Sequence, residues 1–144
     1  MAPKPRVLVA AQPAAWLILQ SMLDEVADLK PAHTSEAALK ILESDSPASE
    51  LILSTIAFDD SRLVEFLYAV KSRERSRAMP FVCCRVLPTV LSGGAVTRLA
   101  EVCMLGGAAE FIDIPSLDAN SAAALLGAAL MRHIEAARGA NRAA

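Results

Sequence analysis

The side chains with reactive potential are few and scattered. Ser54 and Thr55 close one apolar run, Asp59 and Asp60 follow it, and Arg85 closes another. A hydroxyl becomes a nucleophile only beside a group that takes its proton. No His–Asp pairing at a readable spacing accompanies Ser54 or Thr55, so hydrolase chemistry is not supported. Asp59 and Asp60 fall near an expected helix start, where carboxylates accept free backbone N–H groups and complement the helix dipole. Helix capping is the expectation for both. His33 and His133 are far apart and stand in no metal-ligand spacing. The cysteines are Cys83, Cys84 and Cys103, with no Cys-x-x-Cys or Cys-x-x-His pattern. Their odd number argues against a disulfide framework. They read as small buried hydrophobes, with Cys83 and Cys84 on opposite faces of a strand. No metal, cofactor or catalytic residue is expected.

Bulk properties narrow the field further. The chain has 144 residues, 54% of them hydrophobic, and a formal charge of −2. That fits one folded domain, taken over 1–144 with a core at about 5–117. No basic stripe is present, which argues against nucleic-acid binding. No apolar run reaches the roughly 18 residues of a membrane span. The apolar run behind the charged N-terminus is too short for a signal peptide, so the cytoplasm is the expected compartment.

Hydrophobic periodicity supplies the elements that must position these residues. Strands are expected at Arg6–Ala11, Asp28–Ala32, Leu51–Ile56, Phe81–Val86 and Glu110–Ile114. Helices are expected at Ala14–Val26, Glu36–Glu43, Arg62–Ser72, a stretch through Val96, Leu99, Val102 and Met104, and Ser116 to about Arg138. Thr34 or Ser35 caps the second helix. A polar turn is expected over Ser44–Ser49 and a longer loop over Leu87–Gly94. Leu91-Ser-Gly-Gly94 matches the opening of the ABC-type ATPase signature, but no phosphate-binding Gly-x-x-x-x-Gly-Lys loop accompanies it. Apolar strands alternating with helices give a three-layer α/β/α sandwich around a five-stranded parallel sheet. The flavodoxin-like order 2-1-3-4-5 is expected.

In order and spacing, five stretches resemble the receiver domain of response regulators, CheY-like, over most of the chain. They are Arg6-Val-Leu-Val-Ala, Ala32-His-Thr-Ser-Glu-Ala-Ala-Leu39, Glu50-Leu-Ile-Leu-Ser-Thr55, Met79-Pro-Phe-Val82, and Gly107-Ala-Ala-Glu-Phe-Ile112 followed by Pro115. The resemblance implies two-component or phosphorelay signalling. It also implies a phosphorylation pocket, and there this sequence departs from it. The acidic pair that holds magnesium falls on Ala11 and Gln12, the acceptor aspartate on Thr55, the switch hydroxyl on Arg85, or on Cys84 if the strand slips by one, and the lysine on Ile114. Magnesium is a hard cation that takes carboxylate oxygens in octahedral geometry. A threonine forms a stable ester where an aspartate forms a reactive acyl phosphate.

The chain therefore reads as a non-enzymatic, atypical receiver that acts through protein contacts. Its expected partner is a sensor kinase, another regulator or itself. Arg85 either reaches solvent from the strand end or pairs with a carboxylate such as Asp59 or Asp113 and holds one conformation. The last helix is apolar nearly all round, so Leu126, Ala129, Leu130 and Ile134 are candidate interface residues, in a homodimer or against a partner, unless the helix is a deeply buried, alanine-rich core helix. The alternative is a sensor of a small molecule or anion in the degenerate pocket at the carboxyl ends of the strands.

Overall fold

The apolar runs pair side by side into one parallel sheet. A computed structural model describes residues 3–44, 49–88 and 92–143, the side chains of 141–143 excepted. Its strands are β1 (Arg6–Ala10), β2 (Asp28–Ala32), β3 (Leu51–Thr55), β4 (Phe81–Arg85) and β5 (Glu110–Asp113). They hydrogen-bond in the order β2-β1-β3-β4-β5, as the alternating pattern predicts. β3 is buried along its whole length, the mark of a central strand covered on both faces. β2 is mostly exposed and carries Pro31, which lacks a ladder donor and is tolerated there because the strand is at the edge.

The helices are α1 (Pro13–Leu23), α2 (Ser35–Ser44), α3 (Leu63–Lys71), α4 (Gly93–Leu105) and α5 (Ala122–Ala143). α1 and α5 cover one face, where Leu19, Leu23, Leu126 and Leu130 meet Val7, Val9, Leu53 and Val82. α2, α3 and α4 cover the other, where Leu42, Phe66, Leu67 and Cys103 meet Leu8, Ile52 and Phe81. Cys83 and Cys84 enter opposite cores, as period-two alternation requires, and all three thiols are free and buried. Burial pushes the Cys84 thiol up to about 12, and a hydrogen bond with Cys103, followed by burial, pushes the Cys83 thiol upward, so both stay protonated and poorly nucleophilic. The expected turn over Ser44–Ser49 and loop over Leu87–Gly94 fall partly outside the described residues.

Two expectations are corrected by packing. Leu126, Ala129, Leu130 and Ile134 are core residues, each no more than 5% exposed, and do not form a surface. With Ala122 they make one stripe at helical spacing. The remaining faces mix alanine, whose single methyl adds little apolar area, with polar and charged residues such as Arg132, Glu135 and Arg138. Exposed large apolar side chains stand singly at Leu17 on α1 and Leu125 on α5 and gather at the end of α4, where Val102, Met104 and Leu105 are 41%, 46% and 89% exposed. The last helix also starts later than expected. A short 3-10 helix, Ile114–Ser116, follows β5, and a turn then closes with Ser121 N–H on the Asp118 carbonyl and Asn120 N–H on Asp118 Oδ1. Such side-chain turns compete with helix at a Ser-Leu-Asp-Ala-Asn-Ser stretch.

Between β3 and α3 the chain makes a left-handed turn, with φ of 50° at Asp59, 56° at Asp60 and 64° at Ser61. Asp tolerates this region better than Ser does. Exposed Ser61 is therefore a strained position without a side-chain role among the described contacts. Ser61→Gly is expected to raise stability by about 1 kcal/mol, read as a higher urea midpoint at unchanged slope.

Candidate functional site

Gln12 and Thr55 meet at the carboxyl ends of β1 and β3. Gln12 stands at the N-cap of α1 but does not cap it. Its Oε1 instead accepts a hydrogen bond from the Thr55 hydroxyl at 2.9 Å. Thr55 is 2% exposed and Ala11 is fully buried in the core beneath α1. The cavity beside them holds about 20 Å³, lined by Gln12, Ala15, Thr55, Ile56, Ala57, Val86 and Leu87. That is room for about one water molecule. The lining offers one amide and one hydroxyl and no charge.

Arg85 and Ile114 do not join this cavity. Along β4, Val82 and Cys84 face α1 and α5, while Phe81 and Cys83 face the other helices. Arg85 continues the second set. Its Nε donates to Asp113 Oδ1 at 2.7 Å and its Nη2 to Asp113 Oδ2 at 3.0 Å, a bidentate pair between registered residues of β4 and β5. The carboxylate holds the guanidinium further above its ordinary pKa. Of the two partners expected for Arg85, the geometry selects Asp113. Ile114 packs into the core under α1 and α5 and is 8% exposed.

Asp59 has a different task. Its Oδ2 accepts the backbone N–H of Ser35 at 3.0 Å, the first residue of α2. Asp59 was expected to cap its own helix, yet the start of α3 has no side-chain cap. It closes the start of α2 across the fold, beside Thr34, whose Oγ1 accepts from Ala37 N–H at 3.1 Å. The Ser35 N–H holds the Asp59 carboxyl below the ordinary range. His33 meets the Ala11 carbonyl at 2.7 Å, and His133 meets Glu110 Oε1 at 2.7 Å. Ser92 caps α4 through Ala95 N–H, so the Ser-Gly-Gly stretch begins a helix in the ordinary way. Trp16 is half-buried against the core beneath α1 and α5. Among the described residues, no three His, Cys, Asp or Glu side chains are grouped to hold a metal ion, and no helix is long and apolar enough to cross a membrane.

The backbone geometry has close counterparts among solved structures. A CheY-like response regulator receiver domain protein from Methanospirillum hungatei JF-1 superposes with a TM-score of 0.72 at 15% identity, over 95% of this chain and 98% of that one. The fold is that of a receiver domain. The signal receiver domain of an HD domain-containing protein from Pseudomonas fluorescens Pf-5 gives 0.70 at 18% identity, over 95% and 99% of the two chains. A sensor protein from Polaromonas sp. JS666 gives 0.72 at 19% identity, over 94% and 99%. No family model matches the sequence, and no curated protein matches it. At these identities the receiver likeness is one of fold. Within this chain, Gln12 and Thr55 meet at the carboxyl ends of β1 and β3, with Arg85 and Ile114 turned to opposite faces of the sheet.

Sequence reasoning missed one surface, the outer face of α4. A signal for it was present. Val102-Cys103-Met104-Leu105 is apolar at four consecutive positions. Four consecutive helical residues sweep most of the circumference, so some must face outward.

Proposed function

We propose that this receiver-fold chain is a signalling module that works through protein contacts and without aspartyl phosphorylation. The observation that carries this reading is Thr55 at the acceptor position, buried and hydrogen-bonded to Gln12 in a cavity without a carboxylate. A magnesium ion there would find one amide and one hydroxyl in place of the charged oxygens it requires. The cationic partner of a phosphoryl group is absent too, since Ile114 is packed in the core. Arg85 is already satisfied by Asp113. In this reading the pair replaces phosphate as the device that fixes the β4–β5 edge in one state.

The contact surface is the outer side of α4. Val102, Met104 and Leu105 are exposed there, and Tyr68 on α3, 57% exposed, touches the space beside Gly106. Its partner would be a sensor kinase or another regulator, in the cytoplasm. The rival reading, a ligand sensor in the degenerate pocket, is weakened by a cavity that admits about one water. Incubation with acetyl phosphate and magnesium tests the proposal. Intact-mass measurement is expected to show no added phosphoryl group. A stoichiometric gain that hydroxylamine removes, the mark of an acyl phosphate on an aspartate, would overturn it.

A further inference from the structure

α4 buries one residue, Cys103. At about 100° per residue, Gly94, Arg98, Glu101 and Leu105 fall within about 60° of arc on the side of the helix away from it. All four are exposed, Leu105 most of all. Steps of four, three and four residues are those of the seam along which two helices pair. Gly94 leaves its end of that seam bare. Outside the helix's own backbone, a Cβ built there would meet only Ser92 Oγ, at 3.9 Å. Among the described residues, the side chains of Arg98 and Glu101 have no hydrogen-bond or ion-pair partner. Opposite charges three apart on a helix can pair with each other, and these two do not.

The four positions are symmetric about the point between Leu99 and Ala100. A second α4 laid antiparallel across this face, with a two-fold axis at that point, sets Leu105 over the partner's Gly94. It also sets Arg98 against the partner's Glu101, and each contact is made twice. Leu105 then fills the bare surface at glycine as a ridge enters a groove. A parallel pair in register would set Arg98 against Arg98 and Glu101 against Glu101, so the charges select the antiparallel arrangement. Tyr68 on α3 is 57% exposed and stands beside Gly106, which adds aromatic surface at the Leu105 end. Self-complementarity is what an isologous contact requires, and a contact with a different protein has no need of it. We propose that α4 is an antiparallel homodimer contact, closed by Leu105 on Gly94 and by Arg98–Glu101 pairs between copies. The inference rests on the reading of outer α4 as the contact surface and names a second copy as the regulator that occupies it. A helix of 13 residues is about 20 Å long, so the contact is small for a specific interface and the dimer is weak.

Sedimentation velocity of the full chain over a concentration series at low salt tests this. A monomer–dimer equilibrium is expected, with a Kd of about 10–100 μM. Arg98→Glu and Glu101→Arg each set like charges against one another across the two-fold axis and are expected to weaken the dimer about tenfold or more. Leu105→Glu is expected to weaken it by about as much, since it puts a charge on the bare surface at Gly94. Arg98→Glu combined with Glu101→Arg restores both pairs with their signs reversed and is expected to return to within about threefold of the parent. All three positions are exposed, so the thermal midpoints of the variants should match the parent. A parent chain that stays monomeric at about 1 mM would overturn the proposal, while the acetyl phosphate result, which tests the phosphate-free reading, would stand. A dimer that Leu105→Glu leaves intact would overturn it too. So would a double reversal no tighter than either single variant.

Discussion

Leu126→Glu is expected to remove most or all of the domain's stability at neutral pH. Leu126 is fully buried between α5 and the sheet. Truncating such a leucine to alanine costs about 3–5 kcal/mol through lost transfer energy and the cavity left behind. A carboxylate at the same place adds a desolvation cost of several kcal/mol unless it takes up a proton. The sum reaches the whole stability of an ordinary domain, roughly 5–15 kcal/mol. Circular dichroism and urea titration measure it. Leu125→Glu is the contrast one residue away. Leu125 is 49% exposed, and its change should stay within about 0.5 kcal/mol. A Leu126→Glu variant that folds normally and alters only its assembly state would restore the reading of Leu126 as an interface residue.

Thr55→Asp, which puts an acceptor carboxyl back at the end of β3, is expected to cost about 2–4 kcal/mol at neutral pH without restoring phosphorylation. The position is 2% exposed, and its hydrogen-bond partner is the amide oxygen of Gln12, which repels a carboxylate until the amide turns over. Ala11 and Gln12 bring no carboxylate oxygen for a compensating cation. Burial raises the new carboxyl's pKa in the folded state above its unfolded value of about 4. The unfolded chain then loses that proton first as pH rises, so the penalty grows upward from about pH 4 and levels off above the folded pKa. Urea midpoints at low and high pH should show the variant nearest the parent at the acid end. Acetyl phosphate should still add no mass. A variant as stable as the parent at pH 8, or one that takes up phosphate, would mean that the pocket retains a cation site.

Much of the architecture could be read before any coordinates. Period-two and helical spacings are local properties, and local backbone preference and burial agree across nearly the whole chain. They placed five strands and the first four helices within a few residues, set the last helix too early, and put Cys83 and Cys84 on opposite faces. The chemistry missing from the expected pocket was legible as well. A carboxylate that is absent from the sequence at Ala11, Gln12 and Thr55 cannot be supplied there by folding those residues differently.

What only the tertiary structure decided is who meets whom. Asp59 looked like the cap of the helix beside it, but it closes the start of α2 at Ser35. Asp113, and not Asp59, takes Arg85, because parallel pairing of β4 and β5 sets those two residues in register on the same face. The apolar last helix proved to be a core helix with alanine outside, while the unremarked tail of α4 points Leu105 at solvent. Glu50 and Arg138 are paired across 88 positions of sequence. Spacing along a chain reports which residues share a face. It carries no information on which faces approach within the few ångströms where hydrogen bonds and ion pairs act. That distance is set by the packing of whole elements, so a chain's fold can be legible while the partners of its charged side chains are not.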